Sequence, residues 1–163
     1  MTLKPTTILG RDGKPIAPVF RILVTGGRDH NDPVIVRQSL AAMYEQAVIR
    51  GEKVVVIHGN CPTGADRSAD IWCLEKGIFP QRHNALWNLQ GKKAGPIRNQ
   101  EMVNAITATH EGVKGAVCLA FPTKPHSAGG GTWDTMERAA KAGILVMNMT
   151  ARDIFTLPNK ELT

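Results

Sequence analysis

Three glycine-rich segments of the sequence contain the residue types that hold phosphate groups in proteins. They are residues 26–29 (GGRD), 59–66 (GNCPTGAD) and 129–132 (GGGT). Glycine lets a backbone N–H group approach an anion closely, and the N–H groups at the start of a helix carry partial positive charge. Arg28 can reach a phosphate while Asp29 orders the turn. Together the three segments predict a binding site for a phosphate-bearing ligand.

The spacing within the first two segments argues against two common nucleotide sites. The first segment is not GxGxxG, and His58 stands at the end of the next apolar run where an acidic residue would hold a ribose, so an NAD site is not expected. Gly59 and Gly64 have the spacing of a P-loop. However, Ala65 and Asp66 replace the lysine and the serine or threonine that hold terminal phosphates and Mg²⁺. ATP hydrolysis is therefore not expected.

Other side chains could complete the same site. Arg98 and Asn99 open a helix, where a guanidinium group can address a phosphate or a base with two hydrogen bonds. Lys93 can raise the local positive potential, Trp87 can stack on a base, and Asp66 can meet a ribose hydroxyl or polarise water. The predicted ligand-binding residues are Gly26, Gly27, Arg28, Asp29, His58, Gly59, Gly64, Asp66, Trp87, Lys93, Arg98, Asn99, Gly129, Gly130, Gly131 and Thr132.

Short β-branched runs alternate with amphipathic helices along the chain, and this order positions the glycine segments. The predicted strands are residues 21–25, 53–58, 79–83, 115–121 and 143–147, and the later predicted helices are 64–76, 95–109 and 132–142. The first helix is expected to start at Pro33 with Asp32 as its N-cap, and Gly77 suits the left-handed residue after the second. We predict an α/β fold, a single Rossmann-like three-layer α/β/α domain with a mostly parallel sheet of about five strands.

The length and composition fit one domain. The chain has 163 residues, of which 42% are hydrophobic and 21% charged. We expect an irregular N-terminal arm at residues 1–20, the Rossmann-like domain at 21–157 and a C-terminal tail at 158–163. Ligands of such sheets lie beyond the carboxyl ends of the strands, which is where the glycine segments fall.

Cysteine, histidine and charge patterns narrow the classes of cofactor and partner. Three cysteines without a CxxC pair and five histidines without metal-ligand spacing favour the reducing cytoplasm, with no metal and no other cofactor. No apolar run approaches the roughly 18 to 20 residues of a membrane span, so no membrane partner is expected. A net charge of +6 fits a nucleic acid or an anionic small ligand, but 5% aromatic residues offer little stacking surface for single strands.

The order of these motifs resembles a known family. The motifs, in chain order, are residues 25–29 (TGGRD), 58–59 with 64–66 (HG and GAD), 93–99 (KAGPIRN) and 129–132 (GGGT). This series is similar to the YspA-like branch of the SLOG superfamily, over about residues 21–147. That superfamily is similar to the cytokinin-activating LOG phosphoribohydrolases and to the DNA-processing protein DprA. The resemblance implies a Rossmann-like fold that binds nucleotides or nucleotide-derived signals, in a homodimer or larger homo-oligomer.

The resemblance also assigns roles, with one departure. Arg98 corresponds to the LOG arginine that touches the nucleotide, and the GGGT segment to the LOG phosphate loop. LOG enzymes place a catalytic glutamate three residues after that threonine, where this chain has Thr135. We therefore expect a binder of a nucleotide or nucleotide-derived signal that acts as sensor, carrier or sponge. The alternatives are a LOG-like nucleoside 5′-monophosphate phosphoribohydrolase with Asp66 and Asp134 as catalytic residues, and DprA-like nucleic-acid binding.

Overall fold

The computed structural model describes residues 9, 11–14, 18–107 and 113–158, which form an α/β fold around a six-stranded sheet. The strands are β1 Val19–Gly26, β2 Lys53–His58, β3 Gln81–Arg82, β4 Val113–Phe121, β5 Leu145–Asn148 and β6 Asp153–Phe155. Their order in the sheet is β3-β2-β1-β4-β5-β6, and every neighbouring pair is parallel except β5 with β6. The predicted Rossmann-like fold with a mostly parallel sheet is confirmed, with six strands where about five were expected.

The helices follow the predicted alternation, except that the short third helix was not predicted and precedes the fourth without a strand between them. They are α1 Pro33–Ile49, α2 Gly64–Lys76, α3 Trp87–Gln90, α4 Ala94–Thr107 and α5 Gly131–Lys141. Asp32 caps α1 as predicted, because its carboxylate accepts hydrogen bonds from the N–H groups of Val34 and Ile35 at 3.1 and 3.3 Å. Gly77 ends α2 with a φ of 71°, the left-handed conformation expected of it.

Several predicted boundaries differ from the structure by one or two residues, and two of them are instructive. The third strand, expected at residues 79–83, is reduced to Gln81–Arg82, because Pro80 has no N–H group to donate to a ladder. The helix expected at residues 95–109 begins one residue earlier, at Ala94, and is described to Thr107. The remainder of that prediction, residues 108–109, lies outside the described residues.

The two faces of the sheet carry separate hydrophobic clusters, which gives the domain its three layers. Ile22 and Val24 of β1 pack with residues of α1 and α2 on one face. Leu23, between them, packs with Met102 of α4 and Met136 of α5 on the opposite face. Successive side chains of a strand point to opposite faces, so an uninterrupted apolar run is what a strand covered on both sides requires.

The chain ends are described only in part. β1 begins at Val19, so the regular domain starts slightly before the expected residue 21. Most of the expected N-terminal arm and residues 159–163 of the expected tail lie outside the described residues. Within the described ranges, no helix combines the length and the apolar character needed to cross a bilayer.

Candidate functional site

A cleft of about 700 Å³ lies at the carboxyl ends of the central parallel strands. It is bordered by the loops that follow β1, β2 and β4 and by the first turns of α4 and α5. The predicted site residues that line it are Gly26, Gly27, Arg28, Asp29, Asp66, Trp87, Arg98, Asn99, Gly129, Gly130, Gly131, Thr132 and Asp134. Most of the predicted site is therefore brought together at one sheet edge, as the parallel topology requires.

Side-chain hydrogen bonds tie the loop after β1 to its neighbours. Thr123 Oγ1, in the loop after β4, donates to Asp29 Oδ1 at 2.6 Å, and this bond is the main reason why the pKa of Asp29 lies below its usual value. Thr63 Oγ1, before α2, donates to the Arg28 carbonyl oxygen at 2.8 Å. These bonds fix the backbone that carries Arg28, whose own guanidinium group has no partner among the described residues.

Glycine is required where two of these loops touch. A Cβ atom on Gly64 would meet the Gly27 carbonyl oxygen and would lie 2.9 Å from the Arg28 Cα atom. The φ of Gly64 is also +76°, which side chains rarely adopt. Gly64 does not line the cleft, but its lack of a side chain lets the first two glycine loops meet.

The loop after β2 is held by three polar side chains at three successive residues. Arg98 Nη1 donates to the Gly59 carbonyl oxygen at 2.7 Å, the Asn60 N–H group donates to His58 Nδ1 at 2.9 Å, and the Cys61 N–H group donates to an Asp66 oxygen at 3.2 Å. Asn60 has a φ of 55° without being glycine. These bonds stabilise a conformation that is otherwise unfavourable for that residue.

His58 lies in the interior instead of lining the cleft as predicted. Its side chain is fully buried, and Nε2 lies 2.8 Å from an Asp70 carboxylate oxygen. Because Nδ1 accepts a hydrogen bond from Asn60, Nε2 carries the ring N–H group and donates a hydrogen bond to Asp70. Asp70 also accepts from Arg82 Nε at 2.7 Å, the largest cause of its lowered pKa. His58 therefore supports the loop from beneath.

Two further predicted residues do not line the cleft. Lys93 lies exposed in a short 3-10 turn before α4. Gly59 is buried, and a Cβ atom there would collide with the Arg98 guanidinium group, so its smallness admits Arg98. The cleft does include Thr123 and Lys124, which precede Gly129 and Gly130 in the loop after β4 and which the sequence analysis missed because neither belongs to a glycine segment.

Arg98 and Asn99 join the two sides of the cleft. Arg98 Nε donates to Asn99 Oδ1 at 3.0 Å. Asn99 Nδ2 donates to the Gly131 carbonyl oxygen at 3.3 Å and to Asp134 Oδ2 at 3.0 Å. Asp134 Oδ2 also accepts from Arg138 Nε at 2.8 Å. A continuous set of hydrogen bonds thus runs from the loop after β2, through α4, to the start of α5.

The start of α5 presents backbone N–H groups to the cleft. Gly129 and Gly130 precede it with φ values of 63° and 105°, and no side chain among the described residues caps the helix. The first N–H groups of a helix have no partner within the helix. Gly131 and Thr132 line the cleft at this point, so their amides can bind an anion.

An apolar wall made by Trp87, Pro96 and Met102 faces the cleft together with these polar groups. Trp87 is 50% exposed, and its indole ring lies against Gly95, where an added Cβ atom would be 3.3 Å from the ring. A second indole, that of Trp133, also lines the cleft and is fixed by a 3.0 Å hydrogen bond from its Nε1 to the Lys124 carbonyl oxygen. Flat rings of this kind can pack against a base or a sugar.

The reactive groups of the cleft are restrained. Asp66 is 5% exposed and bonded to the loop, and Asp134 is bonded to Asn99 and Arg138. Thr135, at the position of the LOG glutamate, is fully buried and donates to the Gly131 carbonyl oxygen at 2.9 Å. Burial, and then the negative charge of Asp66, raise the pKa of the Cys61 thiol. Among the described residues no three of His, Cys, Asp and Glu are grouped as metal ligands.

Comparisons with known proteins agree with this architecture. The sequence profile described as the YspA, cpYpsA-related SLOG family matches residues 20–89, from β1 to α3. The chain is also similar to the "Gene 61 protein" of Mycobacterium phage D29, with 40% identity over 134 residues, which cover 78% of this chain and 94% of that protein. No solved structure matches it significantly. The chain therefore belongs to the YspA, cpYpsA-related SLOG family, a membership that indicates nucleotide-related binding in general.

Proposed function

We propose that the protein binds a nucleotide or nucleotide-derived ligand in this cleft and releases it unchanged. The observation that carries the proposal is the meeting of the first and last glycine segments with Arg98 in one cleft of about 700 Å³. That volume falls within the ~300–1,000 Å³ typical of small-molecule sites. In this role the protein would act as a sensor, a carrier or a sponge for the ligand, in a homodimer or larger homo-oligomer.

The phosphate is proposed to bind at the start of α5. The amides of Gly131 and Thr132 supply donors there, and the positive φ of Gly130 disfavours a side chain at the residue before the helix. Arg28 and Lys124 contribute positive charge at the rim, and neither side chain has a hydrogen-bond or ion-pair partner among the described residues. Unpaired cations beside free amides favour an anion over a neutral ligand.

The base or a second ring of the ligand is proposed to lie against Trp87. Together with Pro96 and Met102, the indole offers an apolar surface beside the polar groups of Asn99 and Asp66. A nucleoside needs this combination, because its base is flat and apolar on its faces while its ribose carries hydroxyl groups.

Two observations favour binding without cleavage. The side chain at the LOG glutamate position is the buried Thr135, so a carboxylate is missing where that chemistry needs one. The Asp134 carboxylate is already engaged by Arg138 and Asn99, which reduces its availability to activate water.

A phosphoribohydrolase remains the second candidate, because Asp66 and Asp134 line the same cleft. Glycosidic cleavage uses a carboxylate close to the sugar's anomeric carbon. The test is to incubate the protein with AMP, GMP, CMP and UMP and to measure free base by chromatography. Release of base that is lost in both D66N and D134N would support the enzyme and refute unchanged release of the ligand.

The main test of the proposal identifies the ligand directly. Protein purified under native conditions is heated, and the released small molecules are identified by mass spectrometry; a stoichiometric nucleotide-like compound is expected. The same compound should raise the melting temperature of the apoprotein. Arg98→Ala should reduce this rise, whereas Arg37→Ala, which removes a cation that pairs with Glu75 outside the cleft, should not. Absence of any released compound and of any nucleotide-induced stabilisation would refute the proposal.

A further inference from the structure

We infer that Asn99 is a positioning residue, which orients Arg98 toward the ligand and holds the start of α5 against α4. The inference rests on the proposed function, since the ligand that Arg98 meets is the one proposed above. It goes further because it assigns the preorganisation of the site to one buried amide. Asn99 would align the Arg98 guanidinium group with the backbone N–H groups at the start of α5.

The bonding of Asn99 uses both ends of its amide group. Asn99 is only 2% exposed. Its Oδ1 accepts a hydrogen bond from Arg98 Nε, and its Nδ2 donates to Gly131 and Asp134. The opposite orientation would place Nδ2 against the Arg98 N–H group and Oδ1 against a carbonyl oxygen and a carboxylate. All three contacts would then be repulsive, so the environment permits one orientation of the amide.

This arrangement determines which part of Arg98 remains for a ligand. Nε is bonded to Asn99 and Nη1 to the Gly59 carbonyl oxygen, at 3.0 and 2.7 Å. Nη2 has no partner among the described residues, and Arg98 lines the cleft. A free arginine side chain loses much rotational freedom on binding, whereas one already held at two nitrogens loses little. Asn99 thereby lowers the entropic cost of binding an anionic oxygen.

The hydrogen bond from Asn99 to Gly131 connects Arg98 to the backbone amides at the start of α5. Gly131 is the first residue of α5, and its carbonyl oxygen is the one that Asn99 Nδ2 reaches across from α4. The adjacent amides are those proposed to hold the phosphate. Removing the Asn99 side chain should therefore loosen the alignment of Arg98 with α5, even though Arg98 itself and the α5 amides remain.

The experiment is a double-mutant cycle with AMP and ADP as probes and isothermal titration calorimetry as the readout. The proteins are the wild type, R98A, N99A and the double variant R98A/N99A, with Asn104→Ala as a control for an exposed asparagine on the same helix. We expect R98A to weaken binding about tenfold or more, as the loss of a charge-assisted hydrogen bond does. N99A should weaken it several-fold alone and have a smaller further effect once Arg98 is absent, because only the contact of Asn99 with the start of α5 is then left to lose. N104A should bind as the wild type does.

Two results would overturn the inference. One is a loss of affinity in R98A/N99A equal to the product of the losses in the two single variants, and the other is wild-type affinity in N99A. If N99A does not fold, Asn99→Ser replaces it in the cycle, since a hydroxyl group at this site cannot span both Arg98 and Gly131.

A ligand-free measurement separates this inference from the proposed function. The Nε–H resonance of Arg98 is followed by NMR, and its protection from hydrogen exchange should be lost in N99A and retained in N99D, which keeps an acceptor for Nε. Loss of protection in N99A, together with a wild type that binds no nucleotide, would refute the proposed function and leave the positioning role supported. Retained protection in N99A would refute the positioning role whatever the protein binds.

Discussion

Replacing Gly64 by alanine tests whether close contact between two glycine loops holds the cleft together. The Cβ atom would meet the Gly27 carbonyl oxygen and lie 2.9 and 3.0 Å from the Arg28 Cα and carbonyl carbon atoms, all backbone atoms that cannot rotate away. Gly51 is the matched control, because its φ of +73° is nearly that of Gly64, at +76°, while no atom lies within 4 Å of its added Cβ. Gly77, with a φ of +71° and the same open space, is a second control.

The expected magnitudes follow from this contrast. A left-handed alanine costs roughly 1–2 kcal/mol, and this cost is shared by all three variants. Overpacking adds about 1–3 kcal/mol in G64A alone. The effect of alanine on the unfolded chain is common to all three and cancels in the comparison. G64A should therefore lose about 2–5 kcal/mol of unfolding free energy, against about 1–2 kcal/mol in G51A and G77A.

The assay is urea unfolding followed by circular dichroism, with the free energy of unfolding taken from linear extrapolation. G64A should also bind the released ligand more weakly, since the displaced backbone belongs to Arg28, while G51A should bind it normally. Equal losses of unfolding free energy in G64A and G51A would refute the reasoning, because the cost would then come from φ alone.

Three further predictions concern individual side chains. The Arg82 hydrogen bond lowers the pKa of Asp70 in the folded protein. The stabilising contribution of this carboxylate is therefore present above about pH 4 and disappears as the pH falls through the folded pKa. D70N should lose that part of the pH dependence of the unfolding free energy in urea titrations, and an unchanged profile would contradict the prediction. D32A should lower the unfolding free energy by about 1 kcal/mol through loss of the α1 cap, and a variant as stable as the wild type would exclude this role. Cys61 should react with iodoacetamide at pH 7 more slowly than free cysteine, because burial and Asp66 raise the pKa of its thiol. In D66N the reaction, followed by mass spectrometry, should be faster than in the wild type. Equal rates in the two proteins would argue against the effect of Asp66.

The fold could be predicted where local pattern and long-range packing agree. Val24 and its neighbours in β1 are apolar on both faces, which indicates a strand covered by helices on both sides. β6 was not predicted, because three residues show no periodicity and Ile154 is exposed; its pairing depends on β5 lying beside it. Phe79 suggested a longer third strand, yet it is 81% exposed and lies against the Arg82 guanidinium group.

The site could be predicted where its backbone conformation favours glycine, because glycine is visible in the sequence. The residues 26–27 and 129–131 are such cases, and topology alone brings them together. His58 was misplaced because its partner, Asp70, lies on α2, and no spacing rule in a single sequence reveals a buried pair of this kind. Thr123 was missed because its role is a hydrogen bond to Asp29, across 94 residues of chain.

The sheet ends on both sides in very short strands, and this limits how molecules of this protein can associate. In the described part of the chain, the outermost strands have two residues in β3 and three in β6. They offer too few unpaired backbone groups for another molecule to add a strand. Association of two molecules at these two described edges would therefore use side-chain surfaces, with shape complementarity in place of ladder hydrogen bonds. Amyloid-like stacking is disfavoured by the same geometry.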